Sequence, residues 1–412
     1  MRLLMIGDVG VVDDMIHIGD EAMFDEALHR LRLRGARQVS AISANPAETA
    51  ERYGVAALAR IGFSSGPSFD RAADEERMRR VERTAAGEGG LLPASDPAHA
   101  VIDAVRAADG VLVTGGGNLA STWPLHVFER ATLARVAAVT GTPFVVSGQT
   151  FGPELSGADR ALVAGMLDSA RLTGAREPHS AALARELGVP EARLHSGVDD
   201  ASFVGDREGA APAEAAGPDA ASWPSGYCAV TFSSHLGGAD PQRFVSAAAR
   251  LLDGLADGTG LGILFVAHFG SLRAGELRGD SVLHERVAAA MSTPSRAVVP
   301  PDSIAAARLA RAASFVVTSR YHPAVFSASG GVPGVGLSVD EYTRVKLSGA
   351  FGNFGQDAVL PLDEVLAADR SGRLLRHWAD RDRIRQTGLA RAVEARAASE
   401  DWWDTVAEAL GG

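Results

Sequence analysis

The sequence alternates short apolar runs with longer segments of helical periodicity, and this alternation occurs twice along the chain. Apolar runs bounded by glycine or polar residues are typical of buried parallel strands. Parallel strands need long crossover connections, which the segments of helical period supply. The pattern therefore predicts an α/β fold with parallel sheets and argues against all-helical and all-β architectures.

The two series of elements predict two doubly wound Rossmann-like domains facing each other across a cleft. They cover residues 1–205 and 227–360, and a segment with three prolines and no apolar period, residues 206–226, is predicted to be the linker. The tail, residues 361–412, is almost entirely helical in period and is expected to pack back across the domains. Residues 64–96 fit the alternation poorly and are interpreted as an insertion.

The composition excludes several functional classes. The chain has 412 residues, and its 40 basic and 51 acidic side chains give a net charge of −11, which argues against a nucleic-acid partner. The single cysteine excludes a disulfide framework, and none of the 11 histidines has a zinc-type spacing, so no metal site is predicted. No signal segment or membrane span is recognised, so we expect a cytoplasmic protein.

Glycine-rich and polar motifs follow the predicted strands of the first domain, where ligands of such sheets bind. Asp20 is predicted to cap the first helix, and the three glycines before Asn118 are predicted to form a nest of N–H groups for an anion. Both features also occur in plain caps and turns. The candidate acceptor or cleft-lining residues of this domain are Asp20, Gly115, Gly116, Gly117, Asn118, Gln149 and Asp200.

A strand of the second domain ends in the run Thr318-Ser319-Arg320-Tyr321-His322, directly before a predicted helix. Arg320 offers a planar set of donors suited to phosphate or carboxylate, and His322 can exchange a proton near neutral pH. Their place beside a helix N-terminus favours an anion site over a purely structural turn.

A third group of candidates, Asp340, Tyr342 and Lys346, follows the next predicted strand. Lys346 is the one lysine among the 40 basic residues. A composition so rich in arginine reflects the base composition of a genome, so a retained lysine indicates a need for a compact ammonium, or chance. Arg176, after a strand of the first domain, either binds a ligand or pairs with Glu177 alone.

Taken together, these motifs resemble those of the polysaccharide pyruvyl transferase family over about residues 3 to 350. They occur in the same order: Gly-Asp-Glu-Ala, Gly-Gly-Gly-Asn-Leu, Gln-Thr-Phe-Gly-Pro, Ala-Arg-Glu, Asp-Asp-Ala, Ser-Arg-Tyr-His, Gly-Val-Pro and Asp-x-Tyr-x-x-Lys-x-x-Gly. The Ser-Arg-Tyr-His motif with the Asp-Glu-Tyr…Lys segment is the most specific. The loop at residues 11–15 and residues 64–96 depart from the family pattern, which affects the expected acceptor more than the donor.

The resemblance implies a GT-B-like fold and transfer of the enolpyruvyl carbons of phosphoenolpyruvate onto sugar hydroxyls of a cell-surface polysaccharide precursor, forming a pyruvate ketal. Arg320 and His322 match the family's donor-binding arginine and catalytic histidine, and Arg176 matches a second donor-linked arginine. Ser319 and Lys346 are further donor-binding candidates. Phosphoenolpyruvate is then a co-substrate, and no cofactor is expected.

The side-chain chemistry is consistent with this reaction. Two arginines and a helix N-terminus could hold the phosphate and carboxylate of phosphoenolpyruvate, and protonated His322 is the candidate acid. Asp20 or Asp200 is the candidate base for the acceptor hydroxyl, and the sequence does not choose between them.

Two other functions stay open, because a fold does not fix a function. One is a nucleotide-sugar-dependent GT-B glycosyltransferase, and the other is a non-catalytic carbohydrate-binding protein. The expected partners are phosphoenolpyruvate and a sugar or lipid-linked glycan. The sequence leaves open a peripheral contact with the inner face of the membrane and assembly into a homo-oligomer.

Overall fold

The computed structural model describes residues 1–207 and 223–411, so most of the predicted linker, residues 206–226, lies outside the described residues. The chain divides into two compact bodies, which we call unit 1 and unit 2. Unit 1 contains Met1–Val12, Met23–Asp200 and Ala397–Gly412, and unit 2 contains Asp13–Ala22 and Ala201–Arg396.

Strands and helices alternate along both units. The strands are β1 (Arg2–Ile6), β2 (Met15–His17), β3 (Gln38–Ser43), β4 (Ala56–Ala59), β5 (Gly110–Val113), β6 (Gly116–Leu119), β7 (Phe144–Phe151), β8 (Leu172–Ala175), β9 (Leu194–Ser196), β10 (Tyr227–Thr231), β11 (Gly262–Val266), β12 (Phe269–Ser271), β13 (Ser295–Val298), β14 (Phe315–Thr318), β15 (Gly334–Ser338) and β16 (Val359–Pro361). The helices are α1 (Ile18–Leu33), α2 (Pro46–Tyr53), α3 (Arg71–Ala85), α4 (Ala98–Ala107), α5 (Pro124–Thr140), α6 (Gly157–Ser169), α7 (Pro178–Glu186), α8 (Pro241–Thr259), α9 (Asp280–Ala290), α10 (Ser303–Ala312), α11 (Tyr321–Ser329), α12 (Glu341–Asn353), α13 (Leu362–Ala367), α14 (Ser371–Ala379) and α15 (Arg381–Gly411).

Unit 1 is built on a parallel sheet with the strand order β4-β3-β1-β5-β7-β8-β9, and β6 pairs with β7. The inner strands are buried on both faces, which explains their continuous apolar runs. The strand order changes direction between β1 and β5, where such sheets bind ligands at their carboxyl ends.

Unit 2 has a parallel sheet with the order β13-β11-β10-β14-β15-β16, and its order changes direction between β10 and β14. This is the strand order of a dinucleotide-binding Rossmann sheet. A separate antiparallel pair joins β2 to β12, with His17 opposite Phe269. The prediction of two Rossmann-like α/β bodies with a helical C-terminal tail is therefore confirmed.

The structure corrects two predicted boundaries. Residues 13–22 were assigned to the first domain, but they belong to unit 2 because β2 pairs with β12. Residues 201–205 are also predicted to lie in the first domain but belong to unit 2. Residues 64–96 lie in the unit that corresponds to their predicted domain, and helix α3 buries Met78 and Val81 in the unit 1 core.

The C-terminal tail is divided between the two units. Trp378 on α14 packs against the core of unit 2. The last turns of α15 belong to unit 1, where Trp402, Trp403 and Val406 are buried in one of its core clusters.

The described residues form neither a helix suited to crossing a membrane nor a metal-binding cluster. No described helix combines the length and the apolar character that crossing a membrane requires. No described group of three or more histidine, cysteine or carboxylate side chains is arranged to hold a metal ion.

The burial of Trp403 predicts a large contribution of α15 to stability. Trp403 is 0% exposed, and replacing a buried tryptophan with alanine typically costs about 3–5 kcal/mol. We therefore expect Trp403→Ala to lower the urea concentration at which half of the protein is unfolded, as measured by far-UV circular dichroism. Val393→Ala on the same helix is the control, because Val393 is 71% exposed and its loss should change stability by less than about 0.5 kcal/mol. Equal midpoints for both variants would contradict this role of Trp403.

Candidate functional site

Ser319 joins the ends of β10 and β14, where the strand order of unit 2 changes direction. Its N–H donates to the carbonyl of Thr231 at 2.9 Å, and its hydroxyl oxygen accepts from the N–H of Ser233 at 2.8 Å. Ser319 is buried. This side chain therefore fixes the two strand ends against each other, and its predicted contact with a donor stays a prediction.

Arg320 occupies the N-cap position of α11 and is held by a buried carboxylate. Its Nη2 donates to Asp280 Oδ1 at 2.6 Å and its Nε donates to Asp280 Oδ2 at 3.0 Å. Asp280 is fully buried and also accepts from the N–H of Phe269 at 2.9 Å. A two-point pair of this kind fixes the plane of the guanidinium. The remaining nitrogen, Nη1, is the one with no hydrogen bond or ion pair to a described residue.

His322 is the second residue of α11 and lies against the backbone of Gly19. A methyl group at Gly19 would overlap the imidazole ring, so only glycine leaves room for His322 in this position. The ring is 5.1 Å from that of Tyr321 and 5.8 Å from that of Phe326. Glycine and aromatic neighbours therefore position the imidazole beside the first turn of α11.

Two buried histidines near this site were missed by the sequence analysis. His268 follows β11, its ring is 5.9 Å from that of Phe326, and its Nδ1 has no hydrogen-bond partner among the described residues. Burial, and then the positive charges of His322 and Arg320, hold the pKa of His268 well below its usual range. Burial likewise lowers the pKa of His284 to about 4. A histidine directly after a predicted strand was the available signal for His268.

Asp20 differs from its prediction in two ways. It lies in the first turn of α1 rather than at the cap, because the helix already begins at Ile18. It also belongs to unit 2, with the rest of residues 13–22, rather than to the first domain. Its Oδ2 is 2.7 Å from Nδ1 of His17, so the two side chains form a local pair.

Lys346, on α12, lies between two aromatic rings, one from α12 and one from α11. Its Nζ is 4.5 Å from the ring centroid of Tyr342 and 5.1 Å from that of Tyr321, and it donates to the Tyr342 hydroxyl at 3.1 Å. Tyr321 follows Arg320 directly, so the ammonium lies near the first turn of α11. Asp340 caps α12 and its Oδ2 is 2.9 Å from His235 Nε2. Although burial acts to raise the pKa of Asp340, hydrogen bonds from His235 and Thr343 lower it below its usual value.

Arg176 is held by side chains of unit 1, and its role in donor binding stays a prediction. The side chain is fully buried in unit 1, and its Nη1 donates to Asp199 Oδ2 at 2.7 Å. Its Nε donates to Thr150 Oγ1 at 2.8 Å and is 3.7 Å from Glu177. Its main partner is therefore Asp199 rather than Glu177 alone, which satisfies the need of a buried charge for a counter-charge.

The predicted glycine nest is not formed. Gly116 and Gly117 belong to β6, which pairs with β7, and none of the three consecutive glycines has the positive φ that a nest requires. Gly115 faces a buried carboxylate instead, because a Cβ there would lie 3.2 Å from Asp200 Oδ2. The run thus supplies close packing rather than an array of N–H groups.

Asp200 is enclosed by the same part of unit 1. Strand β7 extends to Phe151, and Gly148 within it, at φ +52, leaves room for the Asp200 carboxylate. Ser147 Oγ donates to Asp200 Oδ1 at 3.1 Å. Burial, and then the negative charge of Asp199, raise the pKa of Asp200 to about 7.

Asn118 and Gln149 are also buried in unit 1. Gln149 Nε2 donates to the carbonyl of Thr114 at 2.5 Å, which ties β7 to the end of β5. Asn118 Oδ1 and Gln149 Oε1 have no hydrogen-bond partner among the described residues. Their predicted contact with the acceptor stays a prediction.

The environment of Asp200 predicts a pH-dependent stability. Its pKa rises from 3.8 to about 7 on folding, so the folded state binds this proton more tightly and stability falls as pH rises from about 4 to 7. The full effect, up to about 4 kcal/mol from the size of the shift, is reached above pH 7. We expect Asp200→Asn to reduce the difference between urea midpoints measured at pH 5 and pH 8.

The comparison variant is Asp199→Asn, which removes the partner of Arg176 and should lower stability at both pH values. It also removes a negative charge that raises the pKa of Asp200, so it should reduce the pH dependence without abolishing it. A wild-type pH dependence in Asp200→Asn would show that Asp200 does not titrate in this range.

Comparison with solved structures identifies the fold. The chain is similar to UGT89C1 of Arabidopsis thaliana, solved with UDP-L-rhamnose, at 13% identity and a TM-score of 0.61 over 100% of this chain and 99% of that one. It is also similar to the UDP-GlcNAc 2-epimerase of Neisseria meningitidis, solved with UDP-GlcNAc, at 9% identity, a TM-score of 0.56 and 94% coverage of both chains. The calicheamicin glycosyltransferase CalG4 matches at 14% identity and a TM-score of 0.52, over 100% of this chain and 98% of that one. These likenesses show a GT-B fold.

Sequence comparison identifies the family. No curated protein matches the chain significantly. The family model of the polysaccharide pyruvyl transferases matches residues 17–341, which is most of the chain and includes Arg320, His322 and Asp340. The chain therefore belongs to the polysaccharide pyruvyl transferase family and is a transferase enzyme.

Proposed function

We propose that unit 2 binds phosphoenolpyruvate and that the enzyme transfers its enolpyruvyl carbons to hydroxyls of a cell-surface polysaccharide precursor, leaving a pyruvate ketal. The observation that carries this proposal is the placement of Arg320 and His322 in the first turn of α11, where the strand order of the unit 2 sheet changes direction. An anion site is favoured at this place in such a sheet.

Three positive groups would hold the donor. They are the Nη1 edge of Arg320, the ammonium of Lys346 and the N-terminal dipole of α11. Asp280 holds the other two guanidinium nitrogens, so Arg320 meets the donor in a fixed orientation. In a chain of net charge −11, this local concentration of positive charge is what makes binding of a trianionic donor favourable.

The reaction then needs one acid and one base. His322, as imidazolium, donates a proton to the methylene carbon of phosphoenolpyruvate, and the adjacent carbon becomes oxocarbenium-like. An acceptor oxygen bonds to that carbon and loses its proton to the base. A second hydroxyl of the same sugar then bonds to the same carbon as the bond from that carbon to the phosphate oxygen breaks. Its proton restores the imidazolium of His322, and the base gives its proton to the departing phosphate, so one donor and one sugar give one ketal and one hydrogen phosphate.

Asp20 is the better candidate for the base. Its carboxylate is partly exposed and belongs to the same unit as His322, whereas Asp200 is buried in unit 1. A base must reach the hydroxyl proton directly or through one water. We therefore propose Asp20, paired with His17, for this role.

The proposal also covers the setting of the reaction. Phosphoenolpyruvate is a cytoplasmic metabolite, so we propose a cytoplasmic enzyme, and a lipid-linked acceptor would bring it to the inner face of the membrane. Assembly into a homo-oligomer stays a prediction.

Replacing His322 tests the function. We expect His322→Ala to lower phosphate release from phosphoenolpyruvate, in the presence of acceptor, by about 10²–10⁴-fold, because the general acid is lost. Calorimetric titration should show donor affinity within about threefold of the wild type. Undiminished turnover would contradict the role of His322.

The wild-type protein distinguishes the two alternative functions. Binding of uridine diphosphate and not of phosphoenolpyruvate would favour a nucleotide-sugar glycosyltransferase. Binding of sugar without turnover would favour a carbohydrate-binding protein.

Gly19→Ala gives an independent test of how His322 is positioned. The added methyl group would displace the imidazole, so we expect kcat to fall at least tenfold while the protein stays folded. Gly352→Ala is the matched control, because Gly352 lies in helix α12 with no atom within 4 Å of an added Cβ. Equal kcat values for the two variants would show that the close approach of Gly19 to His322 has no catalytic importance.

A further inference from the structure

A cluster of charged side chains that the proposed reaction does not use lies at the carboxyl edge of the unit 1 sheet. Asp8 follows β1, at the change in strand order, and Arg60 follows β4. His126 and Glu129 come from the first turns of α5. The cluster therefore occupies the edge at which parallel sheets of this kind bind ligands.

Glu129 is the buried member of the cluster, and it holds Arg60 and, through Arg60, Asp8 in place. Glu129 is almost fully buried, and its Oε1 accepts from the N–H of Ile61 at 3.1 Å. Its Oε2 is 3.9 Å from Nε of Arg60, whose Nη2 in turn donates to Asp8 Oδ1. Burial raises the pKa of Glu129, against the lowering effect of Arg60 and Arg130. The buried carboxylate of Glu129 thus fixes the position of Arg60.

The protonation of His126 follows from its neighbours. Arg130 Nη1 lies 3.1 Å from Nδ1 of His126, and a guanidinium can only donate, so Nδ1 is the acceptor. The proton of the neutral imidazole is then on Nε2, which is 3.5 Å from Asp8 Oδ2. Asp8 is therefore oriented by two donors, Arg60 on one oxygen and His126 on the other.

The Asp8 side of the cluster is open to a ligand. The side chain of Asp8 is 28% exposed, against 10% for His126. Trp123, at the N-cap of α5, is 45% exposed, and its carbonyl accepts from the N–H of His126 at 3.0 Å. Trp123 is thus an exposed aromatic side chain one helical turn before His126, which contacts Asp8.

We propose that Asp8, Arg60 and His126, with Trp123 beside them, form a subsite that binds hydroxyl groups of the acceptor sugar. A carboxylate has about four lone-pair positions, and the Asp8 side chain is 28% exposed, so it can accept a bond from a sugar hydroxyl beside those from its protein partners. Arg60 can donate to a sugar oxygen, and the indole face can cover the apolar face of a pyranose ring. This inference rests on the proposed function, because it names the place at which the acceptor of that reaction is bound.

The chemistry of the cluster favours an uncharged polyhydroxyl ligand over an anion. The two carboxylates, Asp8 and Glu129, lie close to two guanidinium groups, Arg60 of the cluster and the neighbouring Arg130, so the charges are largely balanced before any ligand enters. A phosphate would meet the Asp8 carboxylate directly, and this repulsion is costly when both groups are partly desolvated. Sugar hydroxyls can instead donate to Asp8 and accept from Arg60.

The test is sugar binding by the full-length protein and its Asp8→Asn variant. The probes are methyl glycosides of galactose, glucose, mannose and N-acetylglucosamine, measured by saturation-transfer nuclear magnetic resonance. We expect the wild type to bind at least one of them and Asp8→Asn to weaken that binding at least fivefold. Trp123→Ala should weaken sugar binding as well, because the indole face that covers the ring is lost. Trp123 is exposed, so its replacement leaves the fold intact.

Asp109→Asn is the matched control, since Asp109 is also a unit 1 carboxylate paired with an arginine, Arg2. Its sugar binding should equal that of the wild type. Phosphoenolpyruvate affinity, measured by calorimetry, should be the same in all variants, and its absence from the wild type would count against the proposed function alone. Wild-type sugar binding by Asp8→Asn, or no binding of any probe by the wild type, would overturn the subsite.

Discussion

The candidate donor site depends on the buried pair between Asp280 and Arg320. Asp280 is the first residue of α9, and it binds the backbone before β12 as well as the guanidinium. A buried carboxylate is unfavourable without such partners, and a guanidinium held at two points has little freedom left. One carboxylate thus links α9, the end of β11 and the first turn of α11, and His322 is carried on the helix whose start is fixed in this way.

The unit 1 sheet also contains buried charges, but they are arranged differently. Arg176 and Asp199 neutralise each other out of contact with solvent, whereas Asp8 and Arg60 reach the carboxyl edge of the sheet and stay partly exposed. The difference lies in position along the strands rather than in residue type. A buried pair specifies how strands and loops pack, and a pair at the carboxyl edge is available to a ligand.

The sequence predicted the strand and helix alternation well because parallel strands are short, apolar and separated by periodic helices. It also placed Arg320 and His322 at a strand end, since a motif and its neighbouring helix are local features. It could not show that Gly19 meets His322, or that Asp280 holds Arg320, because these residues are far apart in the chain. The glycine run before Asn118 was misread because glycine permits both a nest and a closely packed strand, and only the neighbouring strand β7 decides between them.

The assignment of residues 13–22 to unit 2 has a consequence for the history and engineering of the enzyme. The chain passes between the units four times, after residues 12, 22, 200 and 396. A fragment that starts at residue 227 would lack β2, the strand that pairs with β12, and the glycine that makes room for His322. Exchange of residues 227–396 between related enzymes by a single crossover would therefore separate His322, the proposed acid, from the backbone that accommodates it, so these two segments are expected to be inherited together.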